Sequence, residues 1–393
     1  MVKGFKLDNS YQILLIILAF LMPLTVSGAN TIVVIISFTW LLSGNYRKKF
    51  NNITSSKVIY ASLIFYSVHL IGMFWTEDIS WGLHILHKMW YFILFFPILF
   101  DIVKKEYVKY YISAFLLAIS LTELVSYLIW FEIIEPFKNA SVQNPTPFMT
   151  HVTYNPVLAF AIYLVTHEIF FNKNISKLYF FAYSFFAVTM SINMFITGGR
   201  AGQVMYFLAL SILIFQFFNT QKIKALIVIM LLIPSIFFAA YQASPLYKTR
   251  VDLALDNVVE FYKSDQKYTS VGLRLHYAAN SWTAFKENPI LGAGTGDFPR
   301  KYREINEIKS PDFPYSTNPH NMYLLIMVQS GLIGLASLFY LFYTQIRFSI
   351  KSESSRFYRD VGITLPILFI VINLSDSYLL GHYTTLMYVF FSA

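Results

Sequence analysis

The stretch TNPHNMYLLIMVQSGLIGL, residues 317–335, joins a short polar corner to a long apolar helix pattern. The residues after Asn321 are almost all apolar, and a helix needs about 20 such residues to cross a bilayer. Asn318 is a predicted N-cap and Pro319 suits the first helical position, which puts His320 in the first turn. The stretch therefore predicts a membrane helix with a polar corner at its start.

The whole chain has the composition of a polytopic membrane protein. Of its 393 residues, 56% are hydrophobic, 13% are charged and 39 are Phe. We predict an all-α fold with about 12 membrane-spanning helices. We interpret the first apolar segment as a retained helix rather than a signal peptide, because further spans follow it. The predicted spans are 11–27, 30–44, 58–75, 86–101, 109–131, 155–171, 178–196, 201–218, 222–241, 319–346, 359–376 and 378–391.

The positions of Lys and Arg predict the orientation of these spans. Short cytoplasmic loops retain positive charge, and basic residues concentrate in loops such as NYRKKFNNITSSK and DIVKKEYVK. Both termini are therefore expected to be cytoplasmic. Residues 1–241 would form nine spans, 242–318 an outer loop, and 319–393 three spans. Inner-face charge that contacts anionic headgroups accounts for the net charge of +9, so nucleic acid is not an expected partner.

The long outer loop carries two predicted amphipathic helices. Their apolar residues recur at helical spacing, and they are expected to pack together or on the bilayer surface. The loop continues into GAGTGDF, residues 292–298, which lacks the context of a nucleotide site and is interpreted as a flexible connector. The apolar positions are Val251, Leu255, Val258, Val259 and Tyr262 in the first helix, and Leu275, Ala278, Ala279, Trp282 and Phe285 in the second.

The motif TGGRAG, residues 197–202, lies between two predicted spans on the outer side. A guanidinium at the membrane edge is costly unless it is paired, extends to headgroups or has a function. Gly199 and its neighbours permit a close backbone approach and leave amide groups for an anion beside Arg200. The motif predicts either an anion site or a tight turn whose arginine extends to the lipid headgroups.

Two further positions on the outer side are candidate ligand contacts. Arg274 is expected in the first turn of the second amphipathic helix, capped by Ser270. There it opposes the helix dipole unless an anion is bound, and the alternative is a solvated surface arginine. His151 lies at the outer edge of the sixth span and is a candidate substrate contact.

The remaining candidate is His320. The positive end of a helix dipole favours a neutral imidazole, which is the form that a general base requires. Asn321 is predicted to orient the ring or a substrate hydroxyl. A structural role is the alternative for a single histidine, but His320 is predicted to face the same compartment as Arg200 and Arg274.

Several patterns that mark other chemistries are missing from the sequence. It has no acidic DxD pair, no His or Cys spacing typical of a metal site, and no Walker loop. We therefore expect an outer-face reaction that needs no metal ion, no ATP and no other cofactor.

Three segments together resemble the bacterial O-antigen ligase and polymerase superfamily. They are TGGRAG, GLRLHYAANSWTAFKENPILGAGTGDF (272–298) and NPHNMYLLIMVQSGLIGL (318–335). The resemblance implies a GT-C-like glycosyltransferase of the bacterial inner membrane, with a periplasmic active site. The donor would be an undecaprenyl-diphosphate-linked glycan and the acceptor lipid A-core. It also implies that Arg200 and Arg274 hold the diphosphate and that His320 activates the acceptor. Gly199 departs from the serine that related sequences often carry.

Two alternatives remain open at this point. A polysaccharide polymerase would use the same donor and another lipid-linked glycan as acceptor. A transporter or flippase would also suit about 12 spans, although such proteins tend to show two repeated halves, which this sequence lacks.

Overall fold

The computed structural model describes residues 2–138, 140–263, 269–352 and 355–393. Within these ranges every regular element is a helix, and one isolated bridge joins Ser141 and Asn144. The predicted all-α class is therefore confirmed. The helices are α1 (Val2–Leu21), α2 (Val26–Leu42), α3 (Tyr46–Thr54), α4 (Lys57–Gly72), α5 (Ile79–Trp90), α6 (Phe96–Ile102), α7 (Val108–Trp130), α8 (His151–Phe171), α9 (Lys177–Ile196), α10 (Arg200–Phe218), α11 (Lys222–Ala243), α12 (Pro245–Lys263), α13 (Ser270–Glu287), α14 (Phe298–Lys309), α15 (Met322–Lys351), α16 (Arg356–Ile372) and α17 (His382–Ser392).

Eight helical segments of the described chain are long and apolar enough to cross a membrane, or nine if α2 and α3, which are bent by 119°, count as one span. The protein is thus a multi-pass membrane protein, but the prediction of about 12 spans is not confirmed. Other predicted spans fall on shorter apolar helices. These are Asn9–Leu21 within α1, and α16 and α17, which have 17 and 11 residues.

The chain divides into two compact units, which are described separately. The first unit contains Met1–Thr39, Ile102–Asp252 and Ser352–Leu368. Helix α8 forms its centre, since every residue from Tyr154 to Val165 is buried. Helices α9 and α10 pack against α8. Apolar side chains of α11 remain largely exposed, as expected for a helix that faces lipid.

The second unit contains Trp40–Asp101, Leu253–Lys351 and Phe369–Ala393. Helix α15 packs on α4 and α13 there. It is broken at Gly331, whose φ of 63° and ψ of −157° lie outside the helical region. A break of this kind frees backbone groups, and burial without partners would be costly for them.

The segment 289–297 supplies those partners. The amides of Ala293 and Gly294 donate to the carbonyls of Val328 and Gln329, at 2.8 and 3.1 Å. On the other side of the break, the Leu332 amide donates to the Pro289 carbonyl at 2.9 Å. The interpretation of GAGTGDF as a flexible connector was therefore wrong.

Further along the segment, Asp297 is fully buried and accepts the amides of Glu77 and Asp78, at 3.0 and 2.9 Å. The Thr295 hydroxyl donates to the His69 carbonyl at 2.6 Å. The glycine-rich segment is thus a fixed element that joins α15 to the connection between α4 and α5.

The outer-loop helices differ from the prediction in their buried faces. Helix α13 forms as predicted, but Leu275 and Trp282 are 41% and 49% exposed. Phe285 is buried as predicted, and the buried face also contains Asn280, Ser281 and Ala284, which were not predicted there. Helix α14 was not predicted, although its buried positions Phe298, Tyr302 and Ile305 have helical spacing. The side chains of Val258, Val259 and Tyr262 lie outside the described residues.

Candidate functional site

The TGGRAG motif forms the turn between α9 and α10 in the first unit. Arg200 is the first residue of α10, and Gly199 occupies the N-cap position. The Gly198 amide donates to Asn144 Oδ1 at 3.0 Å. This amide is already used within the protein, so the prediction that it is open to an anion was wrong. Arg200 does begin a helix, and the positive end of a helix favours negative charge.

Buried polar side chains hold this turn in place. Asn155 is fully buried, and its Nδ2 donates to the carbonyl oxygens of Met194 and Gly199, at 3.3 and 3.2 Å. Its Oδ1 accepts the hydroxyl of Thr197 at 2.6 Å. Gln203 Nε2 donates to the Thr197 carbonyl at 3.1 Å. Because unpaired polar groups are costly in the interior, this network fixes the backbone beside Arg200.

The glycines of the motif allow close packing on α8. A Cβ atom at Gly199 would lie 2.3 Å from the backbone oxygen of His151. One at Gly202 would lie 2.2 Å from Cβ of Asn155. The glycine at position 199 is therefore required by the approach of α8 in this chain.

An apolar cavity of about 820 Å³ lies in the same unit. Helices α7, α8, α9, α10 and α11, with the start of α12, supply most of its walls. Its residues include Ile196, immediately before the turn, and Ser244, whose hydroxyl donates to the Phe195 carbonyl at 2.7 Å. The cavity has the size and apolar lining of a binding site for an apolar chain.

The polar corner lies in the second unit and differs from the prediction at the helix start. Helix α15 begins at Met322, so His320 precedes the helix and does not lie in its first turn. Asn321, rather than Asn318, caps the helix, because its Oδ1 accepts the amides of Tyr323 and Leu324, at 3.0 and 3.1 Å. The Asn321 Nδ2 donates to a backbone carbonyl, so this side chain is used in positioning the helix.

His320 has a left-handed backbone with a φ of 51°, a conformation that is uncommon for residues other than glycine. Asn318 stabilises it, since its Oδ1 accepts the His320 amide at 3.0 Å. His320 Nδ1 donates to Oδ2 of Asp376 at 3.3 Å. Asn318 Nδ2 and the Ser377 amide donate to the other carboxylate oxygen, at 3.3 and 2.7 Å. The imidazole is thereby oriented through Nδ1, and no described residue hydrogen-bonds its Nε2.

Arg274 belongs to the same unit and acts on the same carboxylate. Burial raises the pKa of Asp376, but hydrogen bonds from His320 and Ser377 outweigh it, and the charge of Arg274 adds to their effect. The pKa of Asp376 therefore lies below its usual value. Arg274 is the fifth residue of α13, just past the first turn, and its side chain is exposed. Thr269 caps this helix rather than Ser270, accepting the Gly272 amide at 3.1 Å.

The structure thus brings Arg274 and His320 into one unit, together with Asp376, which the sequence analysis missed. Asp376 is the last residue of the predicted eleventh span, at its outer end, and an acidic residue at that position was the available signal. Arg200 and His151 belong to the other unit. The convergence of Arg200 with Arg274 and His320 stays a prediction.

Comparison with known proteins identifies a segment that contains Arg200, Arg274 and His320. Residues 185–339 match the family model described as O-antigen ligase. A protein of Haemophilus influenzae, described only as uncharacterized, is 26% identical over 223 residues, which are 53% of this chain and 54% of that protein. The chain therefore spans about half the length of this curated relative. The family match confirms the resemblance found in the sequence: over residues 185–339, this chain is similar to the O-antigen ligase family.

Proposed function

We propose that the protein is an O-antigen ligase. It transfers a glycan from undecaprenyl diphosphate to a sugar hydroxyl of lipid A-core, at the periplasmic face of the bacterial inner membrane. The observation that carries this proposal is the hydrogen bond from His320 Nδ1 to Asp376, a carboxylate on which the charge of Arg274 also acts. His320 and Arg274 lie within the segment that matches the family. It supports a role for His320 as the base of the reaction.

Proton transfer in this mechanism uses the two nitrogens of the imidazole for different tasks. Nδ1–H donates to Asp376 and fixes the ring and its tautomer, so Nε2 carries the lone pair that accepts the acceptor hydroxyl proton. The carboxylate stabilises the imidazolium that forms. Asp376 is therefore a positioning residue, and His320 is the proposed catalytic base.

The arginines act on the leaving group. Arg200 and Arg274 would contact the donor diphosphate, because a guanidinium can hold phosphate oxygens through two parallel hydrogen bonds. As the acceptor oxygen attacks the anomeric carbon, the bond from that carbon to the diphosphate breaks. The electron pair leaves with undecaprenyl diphosphate, whose negative charge the two cations stabilise. One displacement inverts the anomeric configuration.

This proposal includes the topology inferred from the basic residues. Both termini would be cytoplasmic, and the turn before α10 and the corner before α15 would face the periplasm. The GT-C-like classification is part of the same proposal. The reaction as written needs neither a metal ion nor ATP, because cationic side chains and one imidazole supply all of its steps.

Substitution of the three proposed residues tests this function. Arg200→Ala, Arg274→Ala and His320→Ala should each abolish glycan attachment when introduced into a ligase-deficient strain, as read on a lipopolysaccharide gel. Lys286→Ala is a matched control, because Lys286 is an exposed cation on the same helix as Arg274. All variants should reach wild-type abundance in the membrane. Wild-type banding from all three variants would overturn the proposal.

The same gels distinguish the polymerase alternative. Loss of a ligase leaves free lipid-linked chains, whereas loss of a polymerase leaves core capped with single repeat units. Transfer by the purified protein in EDTA, with no nucleotide added, tests the proposed independence from metal and ATP.

A further inference from the structure

Arg250, on α12, lies beside the turn that precedes Arg200, and both arginines belong to the first unit. A Cβ atom built on Gly198 would lie 3.5 Å from Nη2 and 3.6 Å from Nε of Arg250. Arg200 follows Gly198 by only two residues. Two guanidinium-bearing residues therefore flank the same short piece of backbone, although some 50 residues separate them in the chain.

The charge of Arg250 lies in a partly buried place. Its side chain is half-buried, and within the described residues no carboxylate lies at ion-pair distance from it. It is close enough to His151, which is also half-buried at the start of α8, to interact with it electrostatically. A guanidinium in a partly desolvated place is stabilised when an anion joins it.

The apolar cavity adjoins this cationic place. Ile196 and Ser244 line the cavity. Ile196 leads directly into the turn, and Ser244 precedes the helix that carries Arg250. A ligand that fills both places must combine an anionic head with a long apolar chain. A polyprenyl diphosphate has that chemistry.

We propose that Arg250 is a further donor-binding residue. With Arg200, it holds the diphosphate at the turn, while the isoprenoid segment next to the diphosphate occupies the cavity. This inference rests on the proposed function and adds to it a cation outside the three motifs. Asn144 contributes indirectly, because its hydrogen bond to the Gly198 amide fixes the turn between the two arginines.

The test measures lipid binding to the purified full-length protein in detergent by native mass spectrometry. The probes are undecaprenyl diphosphate, undecaprenyl monophosphate and dioleoyl phosphatidylglycerol. Arg250→Gln should weaken the retention of undecaprenyl diphosphate about ten-fold, the effect of one charge-assisted contact, and the monophosphate less. The retention of undecaprenyl diphosphate by Arg250→Lys should lie between those of wild type and Arg250→Gln. Lysine keeps the positive charge but cannot form two parallel hydrogen bonds to a phosphate.

Lys248→Gln is the control, since Lys248 is an exposed cation on the same helix and should leave retention within about two-fold of wild type. If wild type retains undecaprenyl diphosphate and both Arg250 variants retain it equally well, the inference is overturned and the proposed function stands. If the Arg250 variants bind phosphatidylglycerol more weakly than wild type but retain undecaprenyl diphosphate equally well, the inference is also overturned. Arg250 would then be a contact for lipid headgroups. Absence of diphosphate-selective binding by wild type would overturn both proposals. Arg250→Lys answers the question if Arg250→Gln fails to fold.

Discussion

The turn at residues 197–199 and the corner at residues 318–321 are built in opposite ways. Asn155 and Thr197, which hold the turn, are completely buried, and their hydrogen bonds stay within the first unit. The His320 side chain at the corner is 38% exposed and depends on a carboxylate that is itself 22% exposed. The turn keeps its geometry without a ligand, whereas the corner leaves its imidazole accessible. This difference suits a fixed anion site and a base that must reach a hydroxyl on a separate substrate.

Apart from the three residues of the proposed reaction, the largest expected effect comes from Asp376, the carboxylate that hydrogen-bonds His320. Asp376→Asn should lower the rate of glycan transfer by about 100-fold to about 10,000-fold, because the amide no longer stabilises the imidazolium. The KM for the donor should change little. Single-turnover kinetics with the purified protein measure both quantities.

The control for Asp376 is Glu307→Gln, which neutralises an exposed carboxylate of the same unit. Equal rates for the two variants would contradict the role of Asp376. Because the pKa of Asp376 is lowered in the folded protein, its contribution to stability is complete above its unfolded value of about 3.9. That contribution is lost as the pH falls through the folded value. Comparisons at neutral pH therefore report on orientation rather than on protonation of Asp376.

A second prediction concerns Gly331, at the break in α15, the helix that follows the corner. Gly331→Ala should destabilise the protein by about 3 kcal/mol or more, since the new Cβ meets a backbone oxygen and the left-handed backbone adds strain. The Cβ would lie 2.2 Å from the Ile290 carbonyl oxygen. Thermal unfolding in detergent measures the loss.

Gly44→Ala separates the two causes of this loss. Gly44 also has a positive φ, of 70°, but a Cβ there would meet nothing within 4 Å. Its substitution should cost only the backbone term of about 1–2 kcal/mol. If both alanine variants unfold at the same temperature, the close fit of segment 289–294 in the break of α15 does not contribute to stability.

These two regions also show what the sequence could predict. Composition was sufficient for a multi-pass all-α protein, and the motifs were sufficient for the family. The glycines of GAGTGDF indicated a turn correctly, but their partners lie at the break of α15, more than 30 residues away, and local pattern carries no information on such pairing. The cap of α15 was predicted at Asn318, whereas Asn321 caps the helix. Asparagine is favoured at this position in either case, so residue preference alone does not distinguish the two.

The same limit explains the residues that were missed. Asp376 is 56 positions from His320, and only tertiary structure brings them together. Arg250 lies in no motif that the sequence analysis recognised. Its position beside Gly198 depends on the tertiary packing of α12, which local sequence does not reveal. The predicted buried face of α13 was wrong at Leu275 and Trp282, which are exposed. Asn280 is buried because its amide donates to Asn306 and Ser310 within the unit.

A third prediction concerns the hydrogen bonds that Asn155 and Asn144 make to the turn at residues 197–199. Asn155→Ala removes the partner of three hydrogen bonds and should cost about 2–3 kcal/mol, because buried groups are left unsatisfied. Asn144→Ala removes one bond to Gly198 and should cost about 1 kcal/mol. Both should weaken donor binding roughly in that order. A turn that tolerated both substitutions without loss of stability would not be held by this network.

The smallest effect on stability is expected from the exposed ion pairs of Arg300. Arg300 pairs with the exposed Glu77 and Glu304 at 2.8 and 2.6 Å, and its Nε lies 3.8 Å from Oδ1 of the buried Asp297. Because Arg300 is 32% exposed and its contact with Asp297 is long, Arg300→Ala should change stability by no more than about 1 kcal/mol. Asp297→Asn, three residues away, should cost more because that buried carboxylate accepts two backbone amides of the connection between α4 and α5. Thermal unfolding of the two variants compares them directly, and a larger loss from Arg300 would mean that surface charge, rather than the buried acceptor, holds the glycine-rich segment in place.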